Sequence, residues 1–326
     1  PRYIYPRYID IMTYVSHKGG MEQTLITGSL LHDLLRCDHR VALDLHSEGW
    51  GIGEAEVSDH PLWSGPIHDY EHIIQGLIAE NPGSVDLRKV DPASRQARTM
   101  LAIDALAPVI VGGEIAADDL LGHPILLLQE DDGYVPGEVG SSGAITRIPS
   151  LLEGVTLALH CDILERNDLL AWPGGYLMGE CSIGRIDLHK AVDDGRTTLL
   201  DGYGDALESA RDIIDDVVVT RSARAPECWM CHWRNLCGPD VEHRDDLTQL
   251  DTVDRATRDA LVGTFPTVAR LAAADIEGFV RGSATDFRQI DAKRLRELHD
   301  LAVRFVESNP RIIGSRDALQ RMPLGP

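Results

Sequence analysis

The chain has 326 residues, 43% of them apolar, which is enough for about two ordinary domains and excludes a disordered polymer. Its 31 Lys and Arg against 52 Asp and Glu leave a net charge of -21. That balance repels phosphate at long range and argues against a general DNA-coating protein, although not against a nuclease whose site is built from carboxylates. No apolar run reaches the length of about 18 residues that spans a membrane, and the opening residues carry no apolar secretory core. The expectation is a cytoplasmic protein with no membrane partner.

In chain order, residues 1–23 show no period and read as a flexible start, or as foreign sequence ahead of Met21. Thr24–Thr27, followed by Gly28, Ser29 and Leu30-Leu31-x-x-Leu34-Leu35, predicts a capped amphipathic helix ending near Cys37. Residues 49–62, punctuated by Gly and Pro, predict a loop, and Ile67, Tyr70, Ile74 and Leu77 share one face of a second helix. Ser94–Leu106 predicts a helix halted at Pro108. Val109–Val111 opens a strand, and Ile125–Leu128 forms another. Asp131-Asp132-Gly133 is a tight-turn signal, with Tyr134–Val139 returning as the partner strand. Further on, Leu151–Leu164 and Gly204–Thr220 have helical spacing, while Gly175–Glu180 and Gly184–His189 read as short strands. This alternation predicts an α/β module with a meander of about three strands. Beyond Asp245 the pattern is helical, with Leu261, Val268, Leu271 and Ile276 in one part and Leu295, Leu298, Leu301 and Phe305 in the next.

Six cysteines are present. Cys161 and Cys181 read as small buried hydrophobes in a reducing compartment. The other four differ. Cys228-Trp-Met-Cys231-His-Trp-Arg-Asn-Leu-Cys237 is C-x2-C-x5-C, and three thiols within ten residues on a loop can address one centre. Soft thiolates select zinc or an iron-sulfur cluster. Trp229 and Trp233 would shield such a centre from water. A closed site needs a fourth donor: His232 or His243 nearby, which favours zinc, or the distant Cys37.

One early cysteine plus a late C-x2-C-x5-C resembles the iron-sulfur branch of the RecB-like nucleases, which includes CRISPR-associated and AddB-type nucleases. Leu25–Leu45 around Cys37-Asp38-His39-Arg40 resembles their opening segment. The stretch Cys228–Leu250 with Arg244-Asp245-Asp246-Leu247 resembles their closing segment. The resemblance implies a restriction-endonuclease-like core over 24–240, stapled by a 4Fe-4S cluster on Cys37, Cys228, Cys231 and Cys237. It also implies a small, helix-hairpin-helix-like helical domain over 241–326.

The family's active site has a His on an early helix, an Asp entering a strand, and Glu/Asp-x-Lys on the next strand, which together hold Mg2+ or Mn2+ and activate water. Gly65-Pro66-Ile67-His68-Asp69 matches the His helix. Here the sequence departs from the family's pattern. The Pro-Asp position reads Pro124-Ile125, the Glu-x-Lys position reads Glu138-Val139-Gly140, and the following helix offers Thr156 and His160 in place of Gln and Tyr. His68 and Glu138 remain as catalytic remnants, which implies that metal-dependent hydrolysis is impaired or lost. Glu114, Asp118, Asp119 and Glu153 are nearby carboxylates that could replace the missing ligands. His68 and His72, spaced i and i+4, form with Glu138 a candidate second metal site suited to a softer ion. Three functions follow: nucleic-acid binding or processing by analogy, chemistry on a small molecule in the former nuclease site, or a silent scaffold. Arg281 and the run Lys293, Arg294 and Arg296 are the notable basic features of the tail, and the last three read as a charged helix face rather than a phosphate track.

Overall fold

The protein is described by a computed structural model covering residues 15–18, 21–53, 70–139, 149–178, 183–191 and 197–309. These residues fall into two compact units, one formed by the chain to Ile52 and from Tyr70 to Val219, the other by Thr220 onward.

The first unit is mixed α/β, as its alternating pattern predicts. Strands β1 (Val15–Lys18) and β2 (Met21–Thr24) pair antiparallel, and β3 (Ile26–Thr27) follows. Helix α1 (Gly28–Arg36) is capped by Thr27, whose hydroxyl accepts from the Leu30 N–H at 3.2 Å, and it buries Leu30, Leu31 and Leu34. Cys37 breaks the run with extended backbone, and α2 (Asp38–His46) begins at once. The expected helix is therefore shorter than its sequence signal, because Ile26 and Thr27 pair as a strand with Leu120 and Leu121. Helix α3 (Glu71–Glu80) covers the described part of the second helical pattern.

Next come β4 (Val85–Asp86), α4 (Pro92–Asp104), β5 (Val109–Val111), β6 (Ile115–Ala117), β7 (Leu120–Gly122), β8 (Leu126–Glu130) and β9 (Gly133–Val139). Helices α5 (Leu151–Arg166) and α6 (Leu199–Ile214) flank β10 (Gly174–Met178) and β11 (Ile183–Asp187). Six strands form one sheet in the order β11-β10-β9-β8-β5-β4. Its centre, β5-β8-β9, is the antiparallel meander read from the sequence, with β10 added parallel to β9 and β4 parallel to β5. The short hairpin β6-β7 escapes the pattern: three residues per strand are too few to display alternation. Asp118 occupies a left-handed conformation at its turn, with φ 51°.

Helix α5 is apolar nearly all round and buries Val155, Leu157, Leu159, Ile163 and Leu164, the mark of a central helix. The sheet comes very close to it at Gly175, where an added Cβ would meet the Pro136 carbonyl and the Leu157 side chain.

The second unit begins with a 3-10 turn at Pro226–Met230, then α7 (Arg234–His243), α8 (Arg255–Val262) and α9 (Val268–Ala272). A hairpin of β12 (Val280–Arg281) and β13 (Ala284–Thr285) turns at Gly282, whose φ of +68° suits glycine. Helix α10 (Ala292–Ser308) closes the unit. Its core holds Leu261, Val268, Leu271, Ile276, Leu295 and Leu298, with Phe265, Phe279 and Phe287 mutually 5.2–5.4 Å apart.

The division between units lies upstream of the cysteine triplet, whereas the sequence expectation put it at 240/241. The reason is a set of polar ties. Ser222 donates to Asp240, the Arg224 N–H donates to Thr248 Oγ1 at 2.9 Å, and buried Arg258 donates to the Ser222 carbonyl at 3.0 Å. These bonds bind the segment that leads into the triplet to the helical unit.

Candidate functional site

In the β8-β9 hairpin Leu126 pairs with Gly137, so Ile125 and Glu138 come together. The Ile125 N–H donates to Glu138 Oε1 at 3.3 Å. The same oxygen lies 2.9 Å from Nδ1 of His160, which is fully buried on α5 and approaches off the direction of a hydrogen bond. Gly122 makes room for this imidazole, since a Cβ there would meet His160 Cδ2 at 2.5 Å. Thr156, one turn earlier on α5, lies against Gly28, where a Cβ would meet its methyl at 2.7 Å.

The result is a carboxylate that accepts from a backbone amide, with a buried imidazole and an aliphatic side chain beside it. A hard dication needs several oxygen donors, and Ile125 supplies none. The candidate replacements are otherwise engaged. Asp118 accepts from Arg166 at 2.9 Å, and Asp119 accepts a bidentate pair from Arg211 at 2.8 and 2.9 Å. Arg211 holds the Asp119 carboxyl below the ordinary aspartate range. Glu153 closes the capping box of α5, accepting from the Ser150 N–H and hydroxyl at 2.9 Å each. Glu114 faces His123 at 3.3 Å. His68 and Gly140 lie outside the described residues. His72 is exposed on α3, where the neighbouring Glu71 is tied to Arg88 at 2.6 Å.

The three late cysteines occupy successive turns. Cys228 sits in the 3-10 turn, Cys231 ends it, and Cys237 lies in the first full turn of α7. The Cys231 N–H donates to the Cys228 carbonyl at 3.2 Å, the Arg234 N–H to the Cys231 carbonyl at 3.2 Å, and the Cys237 N–H to the Trp233 carbonyl at 2.9 Å. All three are half-buried, as is Cys37 between α1 and α2. The Cys228 sulfur accepts from the Ala225 N–H and donates to the Ala223 carbonyl, both at 3.4 Å. Trp233 is buried beneath the turn, but Trp229 is 52% exposed and so does not seal it. Among the described residues no three His, Cys, Asp or Glu side chains are gathered as a preformed metal site. The donor set is nevertheless chemically suited to a thiophilic centre: three half-buried cysteines stand on adjacent turns, and the two contacts of the Cys228 sulfur are long enough for coordination to displace them.

Cys161 is buried and its thiol donates to the Gly174 carbonyl at 3.1 Å, while Cys181 lies outside the described residues. In the tail, Arg281 pairs with Asp286, Lys293 and Arg294 with Glu297, and Arg296 with Glu277 through two contacts of 2.7 and 2.8 Å. Each of these cations therefore has a carboxylate within 4 Å, Lys293 and Arg294 sharing Glu297.

Two groupings have no sequence signal. One is the pair of imidazole–carboxylate contacts, His160 with Glu138 and His123 with Glu114. The other joins Glu130 to the Trp172 indole and the Tyr176 hydroxyl at 2.8 and 2.5 Å, with Arg185 stacked 4.0 Å over Trp172. Both unite residues from separate elements, so no local spacing announces them. No protein-family model matches the chain, and no curated protein is significantly similar to it.

Proposed function

We propose that this chain is an iron-sulfur protein of RecB-like nuclease type in which phosphodiester hydrolysis has been lost and nucleic-acid binding or processing is the retained role. One observation carries the reading: Cys228, Cys231 and Cys237 stand half-buried on successive turns at the head of a helical unit. Thiolates so spaced suit a 4Fe-4S cluster, with Cys37 the fourth donor by the family pattern. The loss of hydrolysis follows from the occupied Glu138 carboxylate and its aliphatic neighbour Ile125.

Anaerobic purification of the full chain tests the cluster. The expected result is a brown protein absorbing at about 400 nm, with iron and sulfide in equal amounts, and loss of both in Cys231→Ser. A colourless zinc protein would refute it. Comparison of Cys37→Ser with His232→Ala identifies the fourth donor by which variant loses iron. Labelled single- and double-stranded DNA with Mn2+ tests the rest: retardation at low salt without cleavage is expected. Cleavage would overturn the loss of hydrolysis, and absence of retardation would overturn the nucleic-acid role.

A second reading, acid-base chemistry on a small molecule, is favoured by the two imidazole–carboxylate contacts beside β8. It predicts that a purified chain inert toward DNA binds a small molecule in a manner abolished by His123→Ala.

A further inference from the structure

Helix α4 buries Thr99, Ala102 and Ile103 on its inner side, the ordinary use of a helix laid on a sheet. Its outer side is apolar as well. Leu101 is 58% exposed, Leu106 just past the end is 65% exposed, and Met100 is also at the surface. Ala97 and Ala105, one turn to either side of Leu101, are exposed too. Residues four apart share a helix face, so Leu101 stands between two small neighbours on one stripe.

Two charges complete this face. Arg98 precedes Leu101 by three residues and Asp104 follows it by three. Both are exposed, and neither is ion-paired with a described residue. Elsewhere in this unit Arg88, Arg166 and Arg211 are each matched to a carboxylate.

We infer that this face of α4 docks against the same face of a second copy of the chain, the two helices running antiparallel about a two-fold axis at Leu101. The occupant follows from the order of charges. Reversal about Leu101 brings Arg98 of each helix level with Asp104 of the other, Ala97 level with Ala105, and Leu101 against its own copy, as a self-complementary interface requires. A parallel arrangement would set like charges side by side. The alanines let the helix axes approach to about 8 Å, and the exposed leucines lose their contact with water.

Light scattering during gel filtration of the full chain tests this. The unaltered protein is expected at twice its chain mass of 35.8 kDa. Leu101→Lys should raise the dissociation constant at least about tenfold and return the chain to its single mass. Its site is more than half exposed, so the far-ultraviolet circular dichroism should stay unchanged. Arg98→Asp should separate the copies, and Arg98→Asp combined with Asp104→Arg should rejoin them. A single-chain mass for the unaltered protein, a dimer that persists in Leu101→Lys, or a double variant that stays monomeric would each overturn the inference.

Discussion

Cys161 on α5 and the Cys228–Cys237 segment hold the same side chain in opposite surroundings. In the first unit the thiol is sealed among Leu157, Ile163 and Leu164, it donates to the Gly174 carbonyl, and burial pushes it well above the ordinary cysteine range. In the second unit three thiols stay half-buried on short turns, and the Cys228 sulfur makes long contacts of 3.4 Å to the backbone. What separates an inert cysteine from a candidate ligand is therefore not the residue but the depth of its element in the core. Around its candidate site the first unit has also set its carboxylates against cations or an imidazole: Asp119 with Arg211, Asp118 with Arg166, and Glu138 beside His160. The second unit spends its buried polar groups on supporting the turn that carries the thiols.

The sharpest way to break this comparison is at that support. Arg258 is buried and holds the Ser222 carbonyl, Asp259 at 2.7 Å and the side of Asp246 at 3.9 Å. Arg258→Met leaves Asp246 buried without its counter-charge and should cost about 3 kcal/mol, read as a lower urea midpoint for the second unit. An unchanged midpoint would mean that these ties do not support the turn.

Alkylation of the metal-free chain under non-denaturing conditions sharpens the contrast directly. Cys228, Cys231 and Cys237 should react at least about a hundredfold faster than Cys161, whose sulfur is reached only by local opening of the fold. Mass spectrometry of the labelled peptides gives the ratio, and comparable rates would erase the distinction.

Within the first unit, Gly122→Ala drives a methyl into the His160 ring, which is itself fully buried and cannot swing away. The expected cost is about 2 kcal/mol, measured by thermal unfolding. Full stability would mean that the His160–Glu138 contact is easily rearranged.

The smallest effect concerns pH. Burial, with Arg36 and Arg40 nearby, lowers the His32 pKa to about 4. The unfolded chain binds this proton near the ordinary value of 6.5, so it holds more protons than the folded chain between about pH 6.5 and 4. Stability should therefore fall as pH drops through that window and level off below it, by on the order of 1 kcal/mol after allowance for partial exposure. His32→Gln should flatten this part of the pH profile, and an unaltered profile would remove His32 as its cause.

Much of the fold was legible residue by residue. The β5-β8-β9 meander, α4 and α5 follow from local period and from the Asp131-Asp132-Gly133 turn. Missed elements fail for identifiable reasons. β3 is only two residues and takes its strand state from pairing with β7, and β6-β7 is too short for alternation to register. At the site, the spacing that juxtaposes Ile125 with Glu138 was readable, but the partner that occupies Glu138 was not.

By itself the sequence determined the helical and strand periods, the turn that sets the β8-β9 register, and the close spacing of three cysteines. Each is a property of neighbours along the chain. Only the tertiary structure decided that His160 turns onto Glu138, that Arg211 reaches Asp119 across 92 positions, and that Arg258 anchors the segment before the triplet from 36 residues away. Electrostatic partnership depends on distance in space, and packing brings these charges together with no periodic trace between them.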